Sequence, residues 1–144
     1  MDLFINQYIE NLTNLLKNID TDSIKNIINL LDNTNGKIYI IGNGGSSSTA
    51  SHMVNDLGVG LARREIRYFD IQSLADNTAV TTAIANDIGY ENIFSIQLKN
   101  KLKKEDILIA ISCSGNSSNI ISAANYAKKI GSKIVGITGF DGGQ

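Results

Sequence analysis

Residues 106–120 read Asp-Ile-Leu-Ile-Ala-Ile-Ser-Cys-Ser-Gly-Asn-Ser-Ser-Asn-Ile, and their grammar decides the fold. Asp106–Ser112 is a near-continuous apolar run, the pattern of a strand buried on both faces. Cys113-Ser114-Gly115-Asn116-Ser117-Ser118 then turns into a helix that runs to Ile130, where Gly131 stops it, and Lys133–Thr138 reads as the next strand. The same order occurs upstream. Lys37–Ile41 is a buried-strand run, Gly42-Asn43-Gly44-Gly45-Ser46-Ser47-Ser48 is the turn, and a helix follows through about Leu57. Between these units, Ile66–Gln72 alternates like a strand, Asp76-Asn77-Thr78 caps a helix ending near Asn86, and Glu91–Leu102 reads as a further helix. Strands separated by helices predict right-handed crossovers and an α/β, doubly wound, mostly parallel sheet.

Ahead of this core, Ile5, Tyr8, Ile9, Leu12, Leu15, Leu16 and Ile19 follow the spacing of one helical face. The cluster Asp20-Thr21-Asp22-Ser23 caps a second helix carrying Ile24, Ile27, Ile28 and Leu31. The reading is therefore one domain over 1–144, with a helical pair over 1–35 and the α/β core over 36–144. The apolar stripes of the pair either complete that core or pack on another subunit.

With 144 residues, the chain has the size of one ordinary domain. A formal net charge of −1 argues against a dedicated nucleic-acid binder. One cysteine excludes an internal disulfide framework. The start, MDLFINQYIENL, lacks the basic region of a signal peptide, and no apolar run is long enough for a membrane span. A cytoplasmic protein, with neither nucleic acid nor membrane as partner, is the expectation. The single histidine, His52, leaves no room for a multi-histidine metal site within the chain.

In open parallel sheets, ligands sit at the carboxyl ends of strands. Both turns are built for that place. Glycines let a ligand approach the backbone, and hydroxyls and free N–H groups at a helix start favour a phosphate. Ordinary turn and cap chemistry would use the same residue types, but two such turns in one small domain favour an anionic ligand. Neither turn carries the lysine of a P-loop. A dinucleotide site fits poorly: Gly42–Ser47 gives G-x-G-x-x-S without the third glycine, and Asp70 falls later than the usual ribose-binding acid. On the helix after the first turn, Ala50, Met53, Val54 and Leu57 mark a buried face. His52 and Asp56 project from the opposite side, one turn apart, where they can share a metal ion or a substrate proton, or simply form an exposed pair.

The motifs GNGGS with its following histidine, TAIANDIGYENIF, DILIAISCSGNSSNI and GITGFDGG, in that order, resemble the bacterial phosphoheptose isomerases of the sugar-isomerase (SIS) domain superfamily. The resemblance implies isomerisation of sedoheptulose 7-phosphate to a glycero-manno-heptose 7-phosphate, for lipopolysaccharide or capsule. It also implies a homotetramer with sites between subunits, and a zinc ion in many members. By this resemblance Asn43, Gly44 and Gly45, with Ser46 beside them, contact the sugar. Ser112, Cys113, Ser114 and Ser117 cradle the phosphate, with Cys113 where the family usually has threonine. Asn86 and Asp87 match a substrate-contacting pair. His52 matches a zinc ligand, and Asp56 stands where the family has a glutamate that serves as zinc ligand and catalytic base. Asp56 is one methylene shorter, and Arg63 and Arg64 lie near the place of a family arginine. The family continues past the GGQ-like stretch into a segment that supplies a glutamine zinc ligand and a catalytic histidine, so the sequence reads as a shortened member. A non-catalytic phosphosugar-binding or regulatory module is the alternative it leaves open.

Overall fold

Four parallel strands form the sheet: β1 (Ile38–Gly42), β2 (Ile71–Ser73), β3 (Ile107–Ser112) and β4 (Lys133–Thr138), in the order β2-β1-β3-β4. The computed structural model describes residues 1–144, which divide into two compact units, Met1–Asn33 and Thr34–Gln144. The first unit holds helices α1 (Asp2–Lys17) and α2 (Thr21–Asp32), neither of which has a buried residue. The side chain of Asp20 caps α2 by accepting from the N–H groups of Asp22 and Ser23. No helix of either unit is long and apolar enough to cross a membrane.

In the second unit every residue of β1 and β3 is buried, as apolar runs covered on both faces must be. Tyr39 pairs with Leu108 and Ile41 with Ala110, so these four share one face. Against it lie Ile93, Phe94, Leu98, Ile120, Ala123 and Ala127. The last three belong to α6 (Ser118–Ile130), which ends at Gly131 in the left-handed conformation (φ 84°). The opposite face packs on α3 (Gly45–Met53), whose Ala50 is fully buried. At the start of the sheet the buried carboxylate of Asp106 accepts from the N–H groups of Lys37 and Lys103, both at 2.8 Å, joining the entries of β1 and β3.

Three elements differ from the sequence expectation. Strand β2 covers only Ile71–Ser73, not Ile66–Gln72, because its first partner is Ile38, the first residue of β1. Upstream of that point there is no neighbour to pair with, and Arg67 instead donates to the Thr34 carbonyl at 2.6 Å while lying over the Phe69 ring. The expected helix over Glu91–Leu102 is reduced to a 3₁₀ turn at Tyr90–Asn92 and one helical turn, α5 (Ser95–Leu98). Asn100, at φ 63°, ends it. The apolar spacing there reports anchors, Ile93, Phe94, Leu98 and Leu102, rather than a continuous helix. Finally, α3 gives way after Met53 to a wider, π-helical stretch, Val54–Gly60. A Cβ on Gly58 would stand 2.9 Å from the Ile71 side chain, so glycine there lets this wider coil lie against β2. Helix α4 (Thr78–Asp87) matches its expectation, with Asn77 capping it through Val80 N–H.

Candidate functional site

Strands β1 and β3 are neighbours, yet the helices that follow them cover opposite faces, which makes their carboxyl ends the switch point of the sheet. The two turns predicted from sequence leave from this point. In the glycine turn, a Cβ on Gly42 would stand 2.6 Å from the Ser46 carbonyl, so only glycine lets α3 begin this close to the strand. Gly44, at φ 51°, is left-handed and open above. The N–H groups of Ser46 and Ser47 are spent on the carbonyls of Asn43 and Gly44. The N–H groups of Gly44 and Gly45 have no partner in the chain, so this turn presents them beside the Asn43 side chain.

The serine turn is organised differently. Ser112 is buried and its hydroxyl lies 3.4 Å from that of Ser117. Ser114 Oγ accepts from the Asn116 N–H, and the Asn116 side chain donates to the Ser114 carbonyl, a local lock on the turn. Gly115 sits at φ 65° and meets the chain again: a Cβ there would stand 2.1 Å from the Gly142 carbonyl. Ser117 N-caps α6 without a side-chain bond. The N–H groups of Ser118 and Asn119, the first two of that helix, have no partner in the chain. Open N–H groups at a helix start beside three serine hydroxyls favour an anion. Cys113 is exposed on the same turn.

A third segment joins them. Asn86 and Asp87 end α4, exposed and bonded to each other at 2.8 Å. Three residues on, after Gly89 at φ 125°, the Tyr90 hydroxyl donates to Asn43 Oδ1 at 3.0 Å. Asn43 also pairs with Asn119 through two hydrogen bonds, of 2.9 and 2.8 Å. The glycine turn, the serine turn and the Asn86–Tyr90 segment thus meet side chain to side chain. Tyr90 and Asn119 were not among the residues selected from sequence. For Asn119 a signal existed: it lies four and eight residues before Ala123 and Ala127, a polar residue on the apolar stripe of α6.

His52 and Asp56 form the pair the spacing predicts, with Nε2 and Oδ2 3.2 Å apart and side chains 74% and 61% exposed. Asp56 also lines an open groove of about 430 Å³ with Asn55, Val59, Arg63 and Arg64, and neither arginine forms an ion pair with its carboxylate. An imidazole nitrogen and a carboxylate are fitting zinc donors, but catalytic zinc takes three protein ligands and no group of three His, Cys, Asp or Glu exists here. The pair supplies two of those three ligands.

These features define the class: a doubly wound α/β domain whose glycine and serine turns meet where β1 and β3 end. The SIS domain family model matches residues 7–139. A phosphoheptose isomerase from Helicobacter pylori strain P12 is 43% identical over 136 residues, 94% of this chain and 68% of that protein. The match to the same enzyme of strain Shi470 spans 62% of its length, so the chain covers roughly two thirds of these curated relatives. Among solved structures, a phosphoheptose isomerase from Francisella tularensis superposes with a TM-score of 0.88 at 30% identity, over 99% of this chain and 78% of that one. The phosphoheptose isomerase from Neisseria gonorrhoeae gives a TM-score of 0.82 at 29% identity, over 99% and 74%. The chain belongs to the phosphoheptose isomerases of the SIS domain family.

Proposed function

We propose that the chain is an aldose–ketose isomerase that converts sedoheptulose 7-phosphate to D-glycero-D-manno-heptose 7-phosphate, supplying heptose for lipopolysaccharide or capsule. The observation that carries this reading is the convergence of the glycine and serine turns at one switch point, with open N–H groups and hydroxyls on one side and Asn43 on the other. The serine turn receives the phosphate through Ser112, Ser114, Ser117 and the N–H groups of Ser118 and Asn119. Asn43, Asn86 and Asp87 orient the sugar by its oxygens. The Asp56 carboxylate, steadied by His52, takes the proton from the carbon beside the ketone. A proton returns to the former carbonyl carbon, and the hydroxyl proton crosses to the other oxygen, so atoms balance through an enediol. Proton transfer by a placed carboxylate contributes about 10²–10⁴-fold.

Zinc belongs to the same proposal: His52 and Asp56 would supply two ligands, with the rest from outside this set, and the ion would stabilise developing negative charge. So does a homo-oligomer, a tetramer by family likeness, supported by the exposed Leu3, Tyr8, Leu12, Leu15 and Leu16 of α1. The cytoplasm, where phosphorylated sugars are made, is the proposed location. The test is NMR of the protein with sedoheptulose 7-phosphate and added zinc. New aldose signals are expected, and an unchanged ketose spectrum at all enzyme concentrations would overturn the reading.

A further inference from the structure

The amide of Asn43 is held by a chain of hydrogen bonds whose direction is forced. Asn119, fully buried, accepts the Ile120 N–H on its Oδ1 at 2.9 Å. A backbone N–H can only donate, so the carbonyl end of the Asn119 amide is fixed. That oxygen also receives Asn43 Nδ2 at 2.9 Å, and Asn119 Nδ2 therefore faces Asn43 Oδ1, at 2.8 Å. The Tyr90 hydroxyl, 3.0 Å from the same Asn43 oxygen, must be its donor. Both acceptor positions of Asn43 are then filled, and one of its two N–H bonds remains free. Tyr90, having given its proton, keeps lone pairs that can accept.

Resting on the isomerase reading above, we infer that Asn119 and Tyr90 are positioning residues. They orient the Asn43 amide so that it meets the sugar as a donor only, and the sugar atom facing Asn43 must be an acceptor, a carbonyl or hydroxyl oxygen. The clasp spans the two turns, from the end of β1 to the first turn of α6, so it also fixes the distance between sugar and phosphate subsites. Asn119 sets which way round the amide lies, and Tyr90 fills the remaining acceptor position of Asn43 Oδ1; without Asn119 the amide is free to turn over, and without Tyr90 it faces the sugar as acceptor as well as donor.

Tyr90→Phe tests this cleanly, because the ring stays and the side chain is 54% exposed. Affinities for sedoheptulose 7-phosphate and for inorganic phosphate are measured by calorimetry on wild type and variant. The expected result is about three- to tenfold weaker sugar-phosphate binding, the worth of one neutral hydrogen bond, with phosphate binding and melting temperature unchanged. A merely structural role would move both ligands together. Asn119→Ala should weaken sugar-phosphate binding further, and adding Tyr90→Phe to it should then cost nothing more, since the clasp is already open. Wild-type affinity in Tyr90→Phe, or equal losses for both ligands, overturns the inference while leaving the isomerase reading intact. A wild type that binds phosphate but not the sugar phosphate fails the isomerase reading itself.

Discussion

The serine turn and the His52–Asp56 pair are both polar, but the first opens α6 at the end of β3, the second lies where α3 ends and its π-helical continuation begins, and they are finished to different degrees. The serine turn is enclosed by its own chain: Gly142 presses on Gly115, Ser112 reaches Ser117, and the buried Asn119 clasps Asn43. The His52–Asp56 pair stands in solvent, joined at 3.2 Å, with a bond of 3.3 Å from the neighbouring Asn55 side chain to Asp56 and no third metal-ligating group. On the proposed function, the phosphate-binding turn is braced by this chain's own contacts, whereas proton transfer rests on one exposed carboxylate. Binding and turnover should accordingly separate under mutation.

The largest effect expected, short of loss of the proposed base Asp56, is at the turn itself. In Gly115→Ala the new Cβ would require the Gly142 carbonyl to move and would hold alanine at φ 65°. Strain of about 1–3 kcal/mol should weaken phosphate and sugar-phosphate binding about ten- to a hundredfold. Affinity within twofold of wild type would show that the turn is not built as described. Next, bound sugar phosphate should protect Cys113, the single and exposed cysteine, from alkylation by about tenfold at saturation. Unchanged alkylation with ligand bound would place the phosphate elsewhere. At the other pole, His52→Ala should leave stability within about 0.5 kcal/mol, because a largely exposed side chain is lost, and leave phosphate affinity unchanged. A marked loss of phosphate binding there would erase the contrast.

The smallest effect lies outside both regions. The Ser23 hydroxyl and the N–H groups of Ser23 and Asp22 hold the Asp20 carboxyl below its ordinary range. A carboxyl depressed in the folded state supports α2 above its unfolded pKa and loses that support as pH falls through the folded one. Circular dichroism should show modest helix loss on acidification, absent in Asp20→Asn, with ligand binding untouched at neutral pH.

Sequence made the contrast only half visible. The turns were legible because glycine- and serine-rich stretches follow two separate apolar strands, although ordinary turns use the same residues, and β4 falls at the predicted Lys133–Thr138. The His52–Asp56 contact was legible because four residues make about one helical turn. The π-helical coil was hidden: 3.6-residue periodicity carries no sign that Gly58 admits a wider turn against Ile71. That coil carries Asp56 and forms one wall of the groove that Arg63 and Arg64 also line. Tyr90 was hidden too, since its bond to Asn43 crosses 47 residues and depends on how α4 ends.

The most direct test of the account compares wild type with Asp56→Asn in heavy water containing sedoheptulose 7-phosphate and zinc, following deuterium at the sugar carbons by NMR. Label and aldose are expected in the wild type. In the variant, exchange is expected to be at least about 10²-fold slower, while ligand line broadening shows the sugar phosphate still bound. Equal exchange in both proteins would contradict Asp56 as the base, and binding without exchange in the wild type would contradict the isomerase.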